Sequence, residues 1–208
     1  LLVWQKIGPF LILINNFQFY FICSIIIMTS SVGAMGGLNQ TSLRKLMTYS
    51  SINHMGWMMM SICFSKNLWL IYMIFYSIIS VISMWMFNFF NSFYLNQLMF
   101  NFNTILIKFL IFSNFLSLGG LPPFLGFLPK WLILESSSFT NASLMIFMVM
   151  MSMVSLNYYL RISFFSILLG SSKNVWITNL VSMNFFFYFL SSFSLTGLML
   201  IMWIYLMV

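Results

Sequence analysis

Leu116-Ser-Leu-Gly-Gly-Leu-Pro-Pro-Phe-Leu-Gly-Phe-Leu-Pro-Lys130-Trp131 places Gly119, Gly120, Pro122, Pro123, Gly126 and Pro129 inside a long apolar segment and follows them with a lysine. In hydrocarbon, backbone N–H and C=O groups cannot be left unpaired. Non-helical backbone at that depth persists only where protein buries it or where it lines a watery cavity. A break beside an ionisable side chain marks an ion pathway. Two expectations follow: a membrane helix interrupted near its middle, and ion handling at the interruption.

The surrounding chain has the composition of a membrane protein. It is 208 residues long, 62% hydrophobic and 4% charged, with a mean hydropathy of +1.03. Soluble domains carry about 25% charged residues, so these side chains could not cover a water-facing surface. The charges are Lys6, Arg44, Lys45, Lys66, Lys108, Lys130, Glu135, Arg161 and Lys173, for a net charge of +7. They stand as single cations between apolar runs and form no basic face for nucleic acid. Their plainer meaning is topological, because lysine and arginine mark the loops that stay inside.

Cys23 and Cys63 sit within apolar runs and His54 is the sole histidine. No zinc, haem or iron–sulfur ligand set is visible, so no cofactor is expected in this chain. The two thiols read as small hydrophobes facing lipid or core. There is also no Gly-rich phosphate loop, nucleophile elbow, carboxylate pair, signal peptide or transit peptide. The first residue, Leu1, falls inside an apolar stretch, which reads as a fragment with its upstream part missing. Twenty Met and 26 Phe with a single acid suit a chain encoded in an AT-rich organelle.

A helix needs about 20 apolar residues to cross a bilayer core, and the pattern predicts an all-α polytopic protein with seven transmembrane segments. They run over 1–14, 17–34, 42–64, 68–90, 105–136, 143–165 and 180–206. The second is expected to stop at Gly36-Gly37. The fifth would be about 48 Å long as one helix, too long unless broken or strongly tilted. The Gly-Gly-Leu-Pro-Pro run divides it into half-helices over 105–118 and 123–135, with Pro123 suited to a first helical turn. Residues 1–16 then form a truncated hinge helix, 17–165 one helical repeat containing the broken helix, and 166–208 a loop and terminal helix. Alternating the loops puts Arg44, Lys45, Arg161 and Lys173 on one face and Lys66 on the other. The 91–104 linker, rich in Asn and Phe, belongs to the positive face at the membrane interface. Two matches to the glycosylation sequon, Asn39-Gln-Thr41 and Asn141-Ala-Ser143, carry little weight in an organelle membrane.

Lys130 is the leading candidate for chemistry, because a lysine beside a break in a partly wet cavity is suited to taking up and releasing a proton. Half-helix ends beside it would supply fixed partial charges. Lys6, in Trp4-Gln-Lys-Ile-Gly-Pro9, reads equally as a flanking charge or a buried polar site, and Gly8-Pro9 would loosen its helix. His54, in Tyr49-Ser-Ser-Ile-Asn-His-Met-Gly56, reads equally as a proton relay or as a structural histidine bonded to a neighbouring helix. Lys108 reads as snorkelling to the interface. Glu135 lies about 140° round the helix from Lys130 and marks the helix exit. Arg44 and Lys45 suit topology and lipid-phosphate contact. Ser77, Ser80 and Ser83 suggest close helix packing.

Four stretches together, Trp4 to Pro9, Gly33 to Lys45, Tyr49 to Trp57 and Leu118 to Trp131, resemble the chain 2 family of mitochondrial NADH:ubiquinone oxidoreductase, respiratory complex I. The resemblance follows the whole chain in order. It implies an antiporter-like membrane-arm subunit of two inverted repeats, each with one broken helix, within a hetero-oligomer of the inner mitochondrial membrane. It further implies that Lys6 matches the lysine at the hinge between repeats and Lys130 the lysine of the second broken helix, on the axis that moves protons. His54 falls in a Ser-Ser-x-x-His-x-Gly motif whose role is less settled. FMN, iron–sulfur clusters and the ubiquinone site would reside in partner subunits. The family's first repeat, with its glutamate and first broken-helix lysine, has no counterpart in these residues. The alternatives are a secondary cation/proton antiporter, and a scaffold that moves no proton.

Overall fold

The computed structural model describes residues 3–15, 18–65, 67–95, 97, 105–137, 142–168, 192 and 197. Among these residues the chain is helical, with one isolated bridge between Ser42 and Tyr94. The helices are α1 (Trp4–Asn15), α2 (Phe19–Gly37), α3 (Leu43–Phe64), α4 (Leu68–Phe89), α5 (Ile105–Gly119), α6 (Phe127–Ser137) and α7 (Ala142–Leu168). The all-α polytopic expectation holds, with α5 and α6 as the two halves of the broken segment. Of the expected segment over 180–206 only residues 192 and 197 are described, and Lys66 and Lys173 lie outside the described residues.

Among the described residues three helices are each long and apolar enough to cross a membrane, over Phe19–Gly37, Leu68–Phe89 and Ala142–Phe164. α3 has 22 residues, about 33 Å, but carries too many polar groups for lipid. It packs instead against α2, α4, α6 and α7, so neighbouring helices shield it. The halves α5 and α6, of 15 and 11 residues, are about 22 and 16 Å long, and neither spans the roughly 30 Å core alone.

One boundary agrees with expectation and one differs from it. α2 ends at Gly37, at the expected Gly36-Gly37 stop. Its glycines serve close packing: a methyl on Gly33 would lie 2.5 Å from the Asn53 amide nitrogen, and those on Gly36 and Gly37 would strike the rings of Tyr49 and Tyr158. Small residues let membrane helices approach backbone to backbone. The correction is at α6, which starts at Phe127, with Pro123 in the connecting turn. Pro129 is the proline in the first turn, where α-helical N–H groups have no intrahelical acceptor and its missing donor costs nothing.

Apolar side chains gather in two clusters. One holds Leu43, Leu46, Met47, Met86, Phe115, Leu118, Leu125 and Tyr159. The other holds Phe10, Ile22, Ile26, Trp57, Met58, Trp69, Ile133 and Met148. Along α3 the first ends at Met47 and the second starts at Trp57; the first also takes Leu125 from the turn before α6, and the second Ile133 from α6 itself. At the outer end of the first cluster, the Arg161 guanidinium donates to the Leu38 carbonyl at 3.2 Å. There the Leu43 N–H also donates to Phe93 O at 2.9 Å and Leu95 N–H to Thr41 O at 3.1 Å. Arg44, Arg161 and the start of the linker therefore share one end of the bundle.

Candidate functional site

The interval between the apolar clusters is polar. On α3, Ser50, Ser51, Asn53 and His54 are all buried, as are Lys6 on α1 and Lys130 on α6. All three candidate site residues thus belong to one buried belt.

The break builds the Lys130 seat. Gly120, at φ +78°, occupies the left-handed position just past the end of α5, where a Cβ would be strained. Its N–H donates to Ser117 O at 3.1 Å and the Leu121 N–H to Leu116 O at 3.3 Å, the paired bonds of a Schellman ending. Those bonds satisfy the carbonyls of 116 and 117 and leave that of Gly119 open. Lys130 Nζ donates to it at 2.7 Å. The lysine lies in the first turn of α6, whose positive end opposes its charge, and reaches the C-terminus of α5, whose negative end favours it. Gly120 has a second duty, because a methyl there would sit 2.7 Å from Lys130 Nζ. Gly126 abuts the Ser117 carbonyl and lets the turn fold back over α5. The peptide bond between Pro122 and Pro123 is cis.

Lys6 is held differently. Pro9 lies inside α1 and has no N–H for the Gln5 carbonyl. The lysine donates across to α3, from Nζ to Ser51 O at 2.9 Å, and lies 4.5 Å from the centre of the Tyr76 ring. A cation over an aromatic face is attracted by the ring quadrupole.

His54 lies within electrostatic reach of both lysines. Its Nδ1 is hydrogen-bonded to the Tyr72 hydroxyl at 2.8 Å, and its ring is 4.8 Å from that of Tyr76. Three residues on, Trp57 faces Lys130, with Nζ 5.8 Å from its ring centre. Asn53 Oδ1, Trp57 Nε1 and the hydroxyls of Tyr76, Tyr158 and Tyr159 are buried without a hydrogen-bond partner. Ser51, Ser50 and Ser155 stand close to the hydroxyls of Tyr76, Tyr159 and Tyr158. Buried polar atoms are normally satisfied, by ordered water where protein gives no partner. These atoms are thus natural anchor points for water in the belt.

The tyrosines were missed in the sequence, where they stand inside apolar runs. The available signal was their depth: membrane tyrosine favours the interfaces, and Tyr72 and Tyr76 stand within the span of α4, on one face. Lys108, in the first turn of α5, is half-buried; Glu135 is exposed near the end of α6. Cys23 and Cys63 are free and partly buried. Among the described residues no three His, Cys, Asp or Glu side chains gather to hold a metal.

The sequence pattern of the family described as NADH:quinone oxidoreductase/Mrp antiporter, TM, matches residues 1–156. The chain belongs to this family. A protein from Aedes aegypti named NADH-ubiquinone oxidoreductase chain 2 is 44% identical, over 99% of this chain and 62% of its own length. One of the same name from Anopheles albimanus is 42% identical over 77% of this chain and 98% of its own length. Relatives at this identity identify the chain with the chain 2 branch. It spans only 62% of the Aedes aegypti and Anopheles gambiae proteins.

The same fold occurs in a chain of respiratory complex I from Thermus thermophilus, solved with bound Aureothin. Its TM-score is 0.65 at 22% identity, over 71% of this chain and 36% of that one. It also occurs in the Mrp complex from Dietzia, with a TM-score of 0.63 at 17% identity, over 73% and 30% of the two chains. Both likenesses establish the multi-pass antiporter-like membrane fold.

Proposed function

We propose that this chain is part of a membrane-arm subunit of proton-translocating NADH:ubiquinone oxidoreductase in the inner mitochondrial membrane. In this reading it relays protons between Lys6 and Lys130. The observation that carries the reading is the single buried belt holding Lys6, His54 and Lys130 between two apolar clusters. The names of the relatives support the assignment to the complex.

Each lysine holds its proton on Nζ, against the Gly119 carbonyl for Lys130 and the Ser51 carbonyl for Lys6. A flexible four-carbon stem lets the ammonium leave its acceptor and hand a proton to water. Water anchored on Asn53 and on the hydroxyls of Tyr76, Tyr158 and Tyr159 would carry it along the belt. His54 can exchange a proton through either ring nitrogen, with Tyr72 donating to Nδ1 or accepting from it. No redox step is assigned to these residues: hydride and electron transfer, with FMN, iron–sulfur clusters and ubiquinone, belong to partner subunits.

The likeness to the Mrp complex favours a second reading, exchange of a cation for protons. A cation site calls for carboxylates, and the chain has one acid, Glu135. Lys130→Met in the assembled complex tests the relay, because methionine keeps the apolar stem and removes the charge. Assembly with a loss of proton pumping of about a hundredfold is expected for removal of a proton-transfer group. Pumping at the unmutated level would leave this half of the subunit a scaffold.

A further inference from the structure

Lys6 and Lys130 each have an aromatic ring within reach, and stand differently to it. Lys6 makes two contacts at once, with Nζ 2.9 Å from the Ser51 carbonyl and 4.5 Å from the centre of the Tyr76 ring. Lys130 sits tightly on the Gly119 carbonyl at 2.7 Å and stands off from the centre of the Trp57 ring at 5.8 Å. Cations are drawn to an aromatic face from within about 6 Å, and tryptophan draws them most strongly. Lys130 is therefore held at the outer edge of that attraction, short of the contact Lys6 makes. We propose that the Trp57 face is a second seat for the charged Lys130, which positions it for proton transfer toward α3. This inference rests on the relay reading and adds to it a residue that the relay does not use.

Sequence and packing both prepare Trp57 for this part. It follows His54 by three residues on α3, a spacing that keeps two side chains on neighbouring parts of one helix face. α3 packs against α6, which carries Lys130. The indole is 1% exposed and belongs to the apolar cluster that also takes Ile133 from α6. A ring fixed by that cluster offers its face without rearranging. Buried from water, the attraction is stronger than at a surface. Gly120 leaves the room: a Cβ there would lie 2.7–2.9 Å from Nζ, Cδ and Cε of Lys130. No side chain at position 120 crowds the moving end of the lysine.

The two seats respond differently to charge. The Gly119 carbonyl accepts an N–H from an ammonium or from a neutral amine, whereas the ring quadrupole draws the ammonium and has little hold on the amine. The charged side chain divides its time between carbonyl and ring; the neutral one returns to the carbonyl. In the transfer the Nζ–H bond breaks as an O–H bond forms to a water of the belt, and a neutral amine remains. Trp57 takes no proton itself. It is a positioning residue, which brings the ammonium away from the end of α5 and toward the helix that carries His54.

The test uses the assembled complex in vesicles, with proton pumping per quinone reduced measured beside assembly. Trp57→Leu keeps an apolar side chain in the cluster and removes the face. Pumping through a seat so weakened should fall about thirtyfold, equivalent to about 2 kcal/mol at about 1.4 kcal/mol per tenfold. Trp57→Phe keeps a weaker face and should lose about fivefold. Charge is separated from packing by replacing tryptophan with its mono-, di- and trifluoro forms, which drain the ring face of electrons with little change of size. Each added fluorine should lower pumping further in the unmutated protein and leave Trp57→Phe unmoved. Unmutated pumping in Trp57→Leu, a fluorination series without a gradient, or a gradient that persists in Trp57→Phe would overturn the proposal. Should both substitutions fail to assemble, the fluorination series in the unmutated protein decides. Lys130→Met keeps the two readings apart. If it pumps at the unmutated level, the relay fails and this inference with it; if it loses pumping while Trp57→Leu does not, the part given to Trp57 fails alone.

Discussion

Lys6 and Lys130 are both buried and both donate to a backbone carbonyl, yet the chain seats them in opposite ways. Lys130 is served by its own broken segment: α5 ends in a capped turn that leaves the Gly119 carbonyl open, and α6 brings the lysine back to it. Lys6 stands in a helix that Pro9 loosens without ending, and takes its acceptor from Ser51 on a different helix. A break manufactures its own acceptor; an unbroken helix must borrow one. The first seat should fail with the turn, and the second with the packing of α1 on α3.

The glycines beside the two lysines separate these cases most sharply. Gly120→Ala forces a Cβ into a left-handed turn and onto Lys130, and should cost about 1–3 kcal/mol in backbone strain alone. Loss of assembled subunit, read by native electrophoresis, is the expected outcome. Gly33→Ala, which pushes α2 off the α3 backbone at Asn53, should destabilise by about 1–3 kcal/mol, the range for overpacking. This should appear as a lower melting temperature of the purified assembly. Tyr72→Phe removes the hydroxyl that orients His54 and should cost about 1 kcal/mol, with a small decrease in pumping and both lysine seats intact. Gly8→Ala meets nothing within 4 Å and should be neutral or stabilising by about 0.5–1 kcal/mol, the usual gain from glycine in a helix. If Gly8→Ala were as damaging as Gly120→Ala, the distinction between the two seats would be lost.

Most of this architecture was legible because hydrocarbon imposes simple rules. The starts of α3 and α4, the break and the burial of Lys130 follow from segment length and from the cost of unpaired backbone. Pro123 points to too early a start for α6, because proline suits a first helical turn wherever one begins, and the helix starts at Phe127. The pattern Gly119-Gly120-Leu121 followed by Pro122 is itself a helix-ending signal, and points to a longer turn. The glycines of α2 mark its end, as the pattern predicts, and also serve as contacts facing Tyr49 and Tyr158. Composition cannot tell these roles apart, because the partner rings come from other helices. For the same reason the tyrosines of the belt stayed hidden: which way a side chain faces inside an apolar helix is decided by its neighbours.

The belt is read as one path, and a double-variant comparison tests that most directly. Proton pumping per quinone reduced would be measured in vesicles for Lys6→Met, Lys130→Met and the two combined, at matched assembly. On a single path each variant lowers pumping about a hundredfold, and the pair together loses no more than the worse one alone. Losses that multiply, as expected for sites acting independently, would show that Lys6 and Lys130 serve separate routes and contradict the single belt.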